Sequence, residues 1–154
     1  LKNLPEGTNS VTVQDIEKNV GISREFSIFE LSKELSERNA YGALKIASHL
    51  GKGAKFAMPM AVSALYTHFY RLLKYEAFLE NNPSPSREEA AAILGVNPYF
   101  VREYDAAVRN YPLKSTMDII SMLCDYDYMG KGGDGQAAAP DRLIVELTAK
   151  ILNS

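Results

Sequence analysis

Cysteine is almost absent from this chain of 154 residues: Cys124 is the only one. No internal disulfide can form and no zinc site can be built from thiolates, a usage that suits a reducing cytosol. Histidine is nearly as scarce. His49 and His68 are the only two, and neither has a partner at a metal-ligand spacing such as H-E-x-x-H, so both are read as structural or surface residues with no metal bound. An excess of charge is also missing. Seventeen basic against 19 acidic residues leave a net charge of -2, which supplies no overall field to draw in a phosphate backbone and confines any nucleic-acid contact to a local one. No apolar run approaches the roughly 20 residues of a membrane helix, and no charged-then-apolar leader opens the chain, so a soluble, cytoplasmic protein with no membrane partner is expected.

Strand signals are lacking as well. Asp134-Gly135 is the single Asn-Gly or Asp-Gly dipeptide and its flanks do not alternate. A phosphate-cradling loop of the form G-x-x-x-x-G-K-[ST] is absent too: Gly51-Lys52 is followed by Gly53, and Gly130-Lys131 by Gly132. Neither offers a magnesium-binding hydroxyl, so ATP is not expected to bind by that route and no cofactor is expected. Acidic neighbours such as Glu88-Glu89 suit the first turn of a helix rather than a catalytic dyad. Nothing assembles an active site, and the chain is not expected to be an enzyme.

What remains is helical signal over a length and a 46% hydrophobic content sufficient for one domain with a real core. Thr12 with Asp15 predicts a short first helix that Gly21 ends; Ser27 with Glu30 forms a capping box ahead of an Ile28, Leu31, Leu35 stripe. Asn39 caps a helix carrying Leu44, Ile46 and Ala47 to Gly51. Pro59 stands in the first turn of the longest helix, which runs to about Glu80 with Leu65, Phe69, Leu72, Leu73 and Phe78 turned inward. Ser86 and Glu89 form a second capping box, Gly95 ends that short helix, and Asn97-Pro98 restarts the chain. Pro112 precedes a helix holding Ile119, Ile120, Leu123 and Tyr126, with Cys124 expected in its core. A glycine-rich loop from Gly130 leads to Pro140 and a last helix with Leu143, Leu147 and Ile151. The fold class predicted is all-α, an orthogonal helical bundle with mostly short connections.

Two features invite nucleic-acid readings. Tyr66, Phe69 and Tyr70 with Arg71 and Lys74 resemble a stacking platform, but a helix with Leu65, Phe69 and Leu72 inward is more simply core with a tyrosine rim. Around Gly95, the positions of Ala91, Leu94, Val101 and Tyr104 fit a helix-turn-helix. Its would-be reading helix carries Arg102 and Arg109 against Glu103 and Asp105, and such carboxylates repel the phosphates a groove-entering helix must pass. A helix-turn-helix regulator is therefore the alternative reading, and a helical adaptor with no nucleic-acid role a third. A regulator would bind duplex DNA alone with steep salt dependence.

Val20-Gly21-Ile22-Ser23, then Phe26-Ser27-Ile28-Phe29-Glu30-Leu31, then Leu94-Gly95-Val96-Asn97-Pro98-Tyr99-Phe100 with Ala106-Ala107-Val108-Arg109, and finally Asp127 with Lys131, together resemble the delta subunit of bacterial DNA polymerase III across nearly the whole chain. The resemblance implies a non-catalytic clamp-loader subunit in DNA replication, whose all-helical collar domain follows a degenerate AAA+ module. Residues 1–21 would be the tail of the AAA+-like lid domain and residues 22–154 the collar; the start at Leu1, with Leu1 to Ser10 reading like the middle of a connection, fits a piece of a longer protein. The partners implied are other clamp-loader subunits of the gamma/tau and delta-prime types, the sliding clamp through the first domain of the family, and primer-template DNA near the collar. Lys131 matches the family motif and is the candidate DNA contact. Tyr99 and Tyr111 are the candidate subunit-interface residues, while Tyr104 is assigned to the core. The loop from Gly130 to Ala139 offers no aromatic ring for stacking on DNA.

Overall fold

The computed structural model describes residues 20–130 and 139–154, with side chains placed for 28–129 and 139–154. Seven α-helices and one 3-10 turn make up the described chain: α1 Val20–Ser36, α2 Ala40–Gly51, α3 Met58–Asn81, α4 Arg87–Leu94, the turn Pro98–Phe100, α5 Val101–Asn110, α6 Leu113–Gly130 and α7 Pro140–Leu152. The all-α class is as the sequence predicts.

Helix α3 is the axis of the bundle. Its Met58, Ala61, Val62, Leu65, Phe69, Leu72 and Tyr75 are buried at the three- and four-residue steps that align one face of a helix, and it packs most extensively on α6 while also touching α1, α4, α5 and α7. On the other side α2 lies between α1 and α7. The approach of α2 to α7 depends on a missing side chain, because a Cβ at Gly51 would stand 2.6 Å from the Cα of Asp141. Among the residues assigned inward, Leu31, Leu35, Leu123, Leu147 and Ile151 are fully buried.

Helix ends follow local chemistry where the sequence supplies it. The Asn39 side chain accepts from Gly42 N, and Ser86 and Glu89 complete a reciprocal capping box. Gly95 closes α4 in the left-handed conformation, φ 71°, which a residue without Cβ adopts freely. Asn97 then accepts from Tyr99 N at 2.8 Å and Pro98 opens the 3-10 turn into α5.

Three expectations need correction. The described part of helix α1 runs from Val20 through Gly21 and Ser27, so neither stops nor caps a helix there. A glycine within a helix costs only about 1 kcal/mol relative to alanine, and S-x-x-E fits a helix interior as well as a start; the Leu31 and Leu35 stripe carries the helix through both. The proposed Thr12–Asp15 cap lies outside the described residues. Cys124 is exposed, because the buried face of α6 steps through Thr116, Ile119, Leu123 and Tyr126 and the next position after Leu123 turns about 100° away.

The turn between α1 and α2 is held by an unforeseen residue. Arg38 occupies the left-handed position after the helix, φ 55°, where Asn39 N bonds back to Glu34 O and Arg38 N to Leu35 O, the Schellman pattern that usually employs glycine. Its guanidinium compensates: Nε donates to Asn110 O at 3.1 Å, Nη2 to Ser154 O at 2.7 Å and Nη1 to Leu152 O. It also lies 4.5 Å from the centroid of the Tyr111 ring. One side chain thus ties the end of α1 to the ends of α5 and α7.

Candidate subunit interface

Exposed large apolar side chains gather at two places besides the stacked Tyr66–Tyr70 pair of α3. The first is the corner between α4 and α5. Asn97 and Pro98 fix the backbone of a single 3-10 turn, so Tyr99 and Phe100 are presented outward, 79% and 46% exposed, with their rings edge to face at 5.2 Å. Inward from this corner, Leu94, Val101 and Tyr104 belong to the core. The second is a groove of about 300 Å³ lined by Ile28, Phe29, Phe56, Met60 and Ala64, with Lys55 at its rim. Phe29 and Met60 remain 68% and 73% exposed. Rings that bury area while keeping a polar edge wet are favoured in protein interfaces, and contiguous exposed apolar surface marks contact sites more often than scattered residues do.

A polar seam lies behind the corner. Ser36 Oγ and His68 Nε2 share a hydrogen bond of 2.8 Å, His68 Nδ1 stands 3.8 Å from Glu103 Oε2, and the His68 and Tyr104 rings are 4.8 Å apart. Burial, helped by the nearby Arg71 charge, holds the His68 imidazole down at about 3, so it is neutral. Burial raises the Glu103 carboxyl to about 7 against the opposing pull of Lys33. About two turns further along α3, Glu76 is 8% exposed and one of its oxygens, Oε1, has no hydrogen-bond partner among the described residues; burial pushes its carboxyl up to about 7, an effect that contact with Thr116 only partly offsets.

Sequence-derived site residues separate clearly. Tyr99 stands on the surface as an interface residue must. Tyr111 does not: it is 0% exposed, its hydroxyl donates to Leu35 O at 2.6 Å, and its ring packs edge-on to Phe69 and under Arg38. Burial pushes the Tyr111 hydroxyl up to about 12. It serves the domain's own core as a second donor to the Leu35 carbonyl, which already accepts from Arg38 N at the end of α1, so the interface assignment of Tyr111 is withdrawn. Tyr104 is core, as expected. Lys131 lies outside the described residues. Tyr66 and Tyr70 stack at 5.9 Å on the rim of α3 while Phe69 points inward. Phe29, Met60 and Arg38 were not singled out by sequence reasoning; a phenylalanine directly beside the Ile28–Leu31–Leu35 stripe but off it was the signal available for the first.

No three His, Cys, Asp or Glu side chains converge to hold a metal ion among the described residues. No helix among them is long and apolar enough to cross a membrane. Residues 25–148 match the family described as DNA polymerase III delta subunit, C-terminal domain. The chain belongs to that family. Its fold resembles that of the Bacillus subtilis DNA clamp loader delta protein, with a TM-score of 0.65 and 23% identity over 94% of this chain and 41% of the other. This C-terminal domain of a delta subunit therefore spans less than half the length of that relative. No curated protein matches it. The helix-turn-helix regulator finds no support: the α4–Gly95–α5 corner exists, but it is part of a delta-family domain, and Glu103 of its second helix faces His68 rather than a groove.

Proposed function

We propose that this domain works as the collar of a clamp-loader delta subunit, a non-catalytic scaffold that docks against neighbouring clamp-loader subunits of the gamma/tau and delta-prime types during loading of the sliding clamp on primed DNA in the cytoplasm. What supports the reading most is the family match over residues 25–148, read with the outward aromatic corner at Tyr99 and Phe100. In this proposal residues 22–154 form the collar and residues 1–21 the tail of an AAA+-like lid; the sliding clamp is gripped by a preceding part of the protein, and Lys131 touches primer-template phosphate near the collar.

Size-exclusion chromatography of this chain co-expressed with gamma-type and delta-prime-type subunits from the same organism tests the docking. A stable co-eluting assembly is expected, weakened by Y99A without loss of folding. Independent elution at micromolar concentration would reject the scaffold role. For the DNA contact, K131A should lower the salt dependence of primer-template binding by the assembled loader by about one counterion; an unchanged slope removes Lys131 from the contact.

A further inference from the structure

A cleft of about 500 Å³ opens between α3, α4 and α5, away from the apolar groove. Its rim carries three arginines, Arg87 from the first turn of α4 and Arg102 and Arg109 from α5. None of these guanidinium groups forms an ion pair or hydrogen bond among the described residues. The single carboxylate in the lining, Asp105, already accepts from the Tyr75 hydroxyl at 2.7 Å. Between the arginines the wall carries the aliphatic side chains of Leu79, Pro85, Ala90, Val101 and Val108, with Ser84 and Ser86 as its uncharged polar members.

An anion is the natural complement of such a rim, because unpaired guanidinium forks bind carboxylate or phosphate bidentately. The wall decides which kind. Strand-type nucleic acid is held by stacking rings and a continuous cationic track, yet Tyr75 is the only ring in the lining and it is buried with its hydroxyl engaged. An aliphatic wall instead suits an aliphatic side chain. Arg102 and Arg109 are seven residues apart on one helix, roughly 10 Å along its axis, a span covered by about three residues of extended chain.

We infer that this cleft is a docking site for an acidic peptide segment of a partner protein, in extended conformation, whose carboxylates bracket an aliphatic side chain that enters the cleft. The site is separate from the proposed subunit interface, and it stands or falls without it.

Fluorescence anisotropy with this chain and a short fluorescein-labelled peptide in which aspartates bracket a leucine, at physiological ionic strength, is the test. Micromolar binding is expected. The surface double variant R102E/R109E, verified as folded by circular dichroism, should weaken it at least about tenfold, and a peptide with glycine in place of the leucine should bind several-fold more weakly. Absence of binding to the leucine peptide, equal affinity of the double variant, or equal affinity of the glycine peptide would each overturn the inference. Tighter binding of single-stranded oligothymidylate that competes for the same arginines would overturn it in favour of nucleic acid.

Discussion

Replacing Glu76 by glutamine should flatten one part of the domain's pH-stability profile. The carboxyl is 8% exposed with one oxygen that has no partner among the described residues, and burial raises it from an ordinary 4.5 to about 7. Between those values the folded state holds a proton that the unfolded chain has released, so the native state binds more protons and stability falls as pH rises through the window. The stabilising protonated form is fully present below pH 4.5 and lost above pH 7. A shift of this size corresponds to roughly 3 kcal/mol over the whole window, most of it between pH 5 and pH 8. In a domain of this length that is about 10 °C in melting temperature.

Glu103, also raised to about 7, contributes with the same sign, whereas His68, held at about 3, loses stability in the opposite direction as pH falls from 6.5. The wild-type profile alone therefore does not isolate Glu76; the difference between wild type and E76Q does. Any pH-independent penalty for seating the amide cancels in that difference. Urea denaturation of both proteins at pH 5 and pH 8 should show E76Q gaining about 2–3 kcal/mol on wild type between the two. A difference that stays constant across pH would mean the carboxyl is solvated or paired in solution, and the burial argument would be wrong.

Removing the clamp at Arg38 should be severe for a residue that is partly on the surface: R38A loses three guanidinium bonds to backbone carbonyls and should cost about 3 kcal/mol by urea denaturation, with R38G recovering about 1 kcal/mol of it by relieving the left-handed backbone. G51A places a Cβ against the Asp141 backbone and should destabilise by about 1–3 kcal/mol through separation of α2 from α7, visible as a lower melting temperature. S86A removes the acceptor for Glu89 N, 3.1 Å away, and should cost about 1 kcal/mol. Y99A should leave the melting temperature within the range of ordinary surface changes, about 0.5 kcal/mol, while weakening assembly with the gamma-type and delta-prime-type subunits in co-elution.

Helix existence was legible because periodicity and end chemistry agreed. Ser86 with Glu89, Gly95 and Asn97-Pro98 each state a local backbone requirement, and the structure meets each one. The failures share a cause. Ser27 carries the same local motif as Ser86, but the apolar stripe of α1 extends the helix beyond it, and packing outweighs a cap of about 1 kcal/mol. Cys124 was misplaced by adjacency, since sitting beside Leu123 on a helix is different from sharing its face.

The tyrosines show the same limit at the level of function. Tyr99, Tyr104 and Tyr111 recur along one stretch with similar chemistry, yet one is 79% exposed and the others are buried. Their fates are set by partners distant in sequence: Tyr111 is drawn inward by the second lone pair of the Leu35 carbonyl at the end of α1 and by Arg38, neither of which a reading of its own helix contains. Tyr99 stays outside because Asn97 and Pro98 stiffen a turn that offers no core-facing position. Arg102 and Arg109 make the reverse case. Counted by charge along α5 they cancel against Glu103 and Asp105, but the fold turns Glu103 toward His68 and out of the cleft lining and leaves Asp105, still charged and bonded to Tyr75, as one carboxylate among three arginines. A linear charge balance argues against a phosphate-reading helix and still leaves, in three dimensions, an arginine rim with no ion pair among the described residues and with its own electrostatic demand.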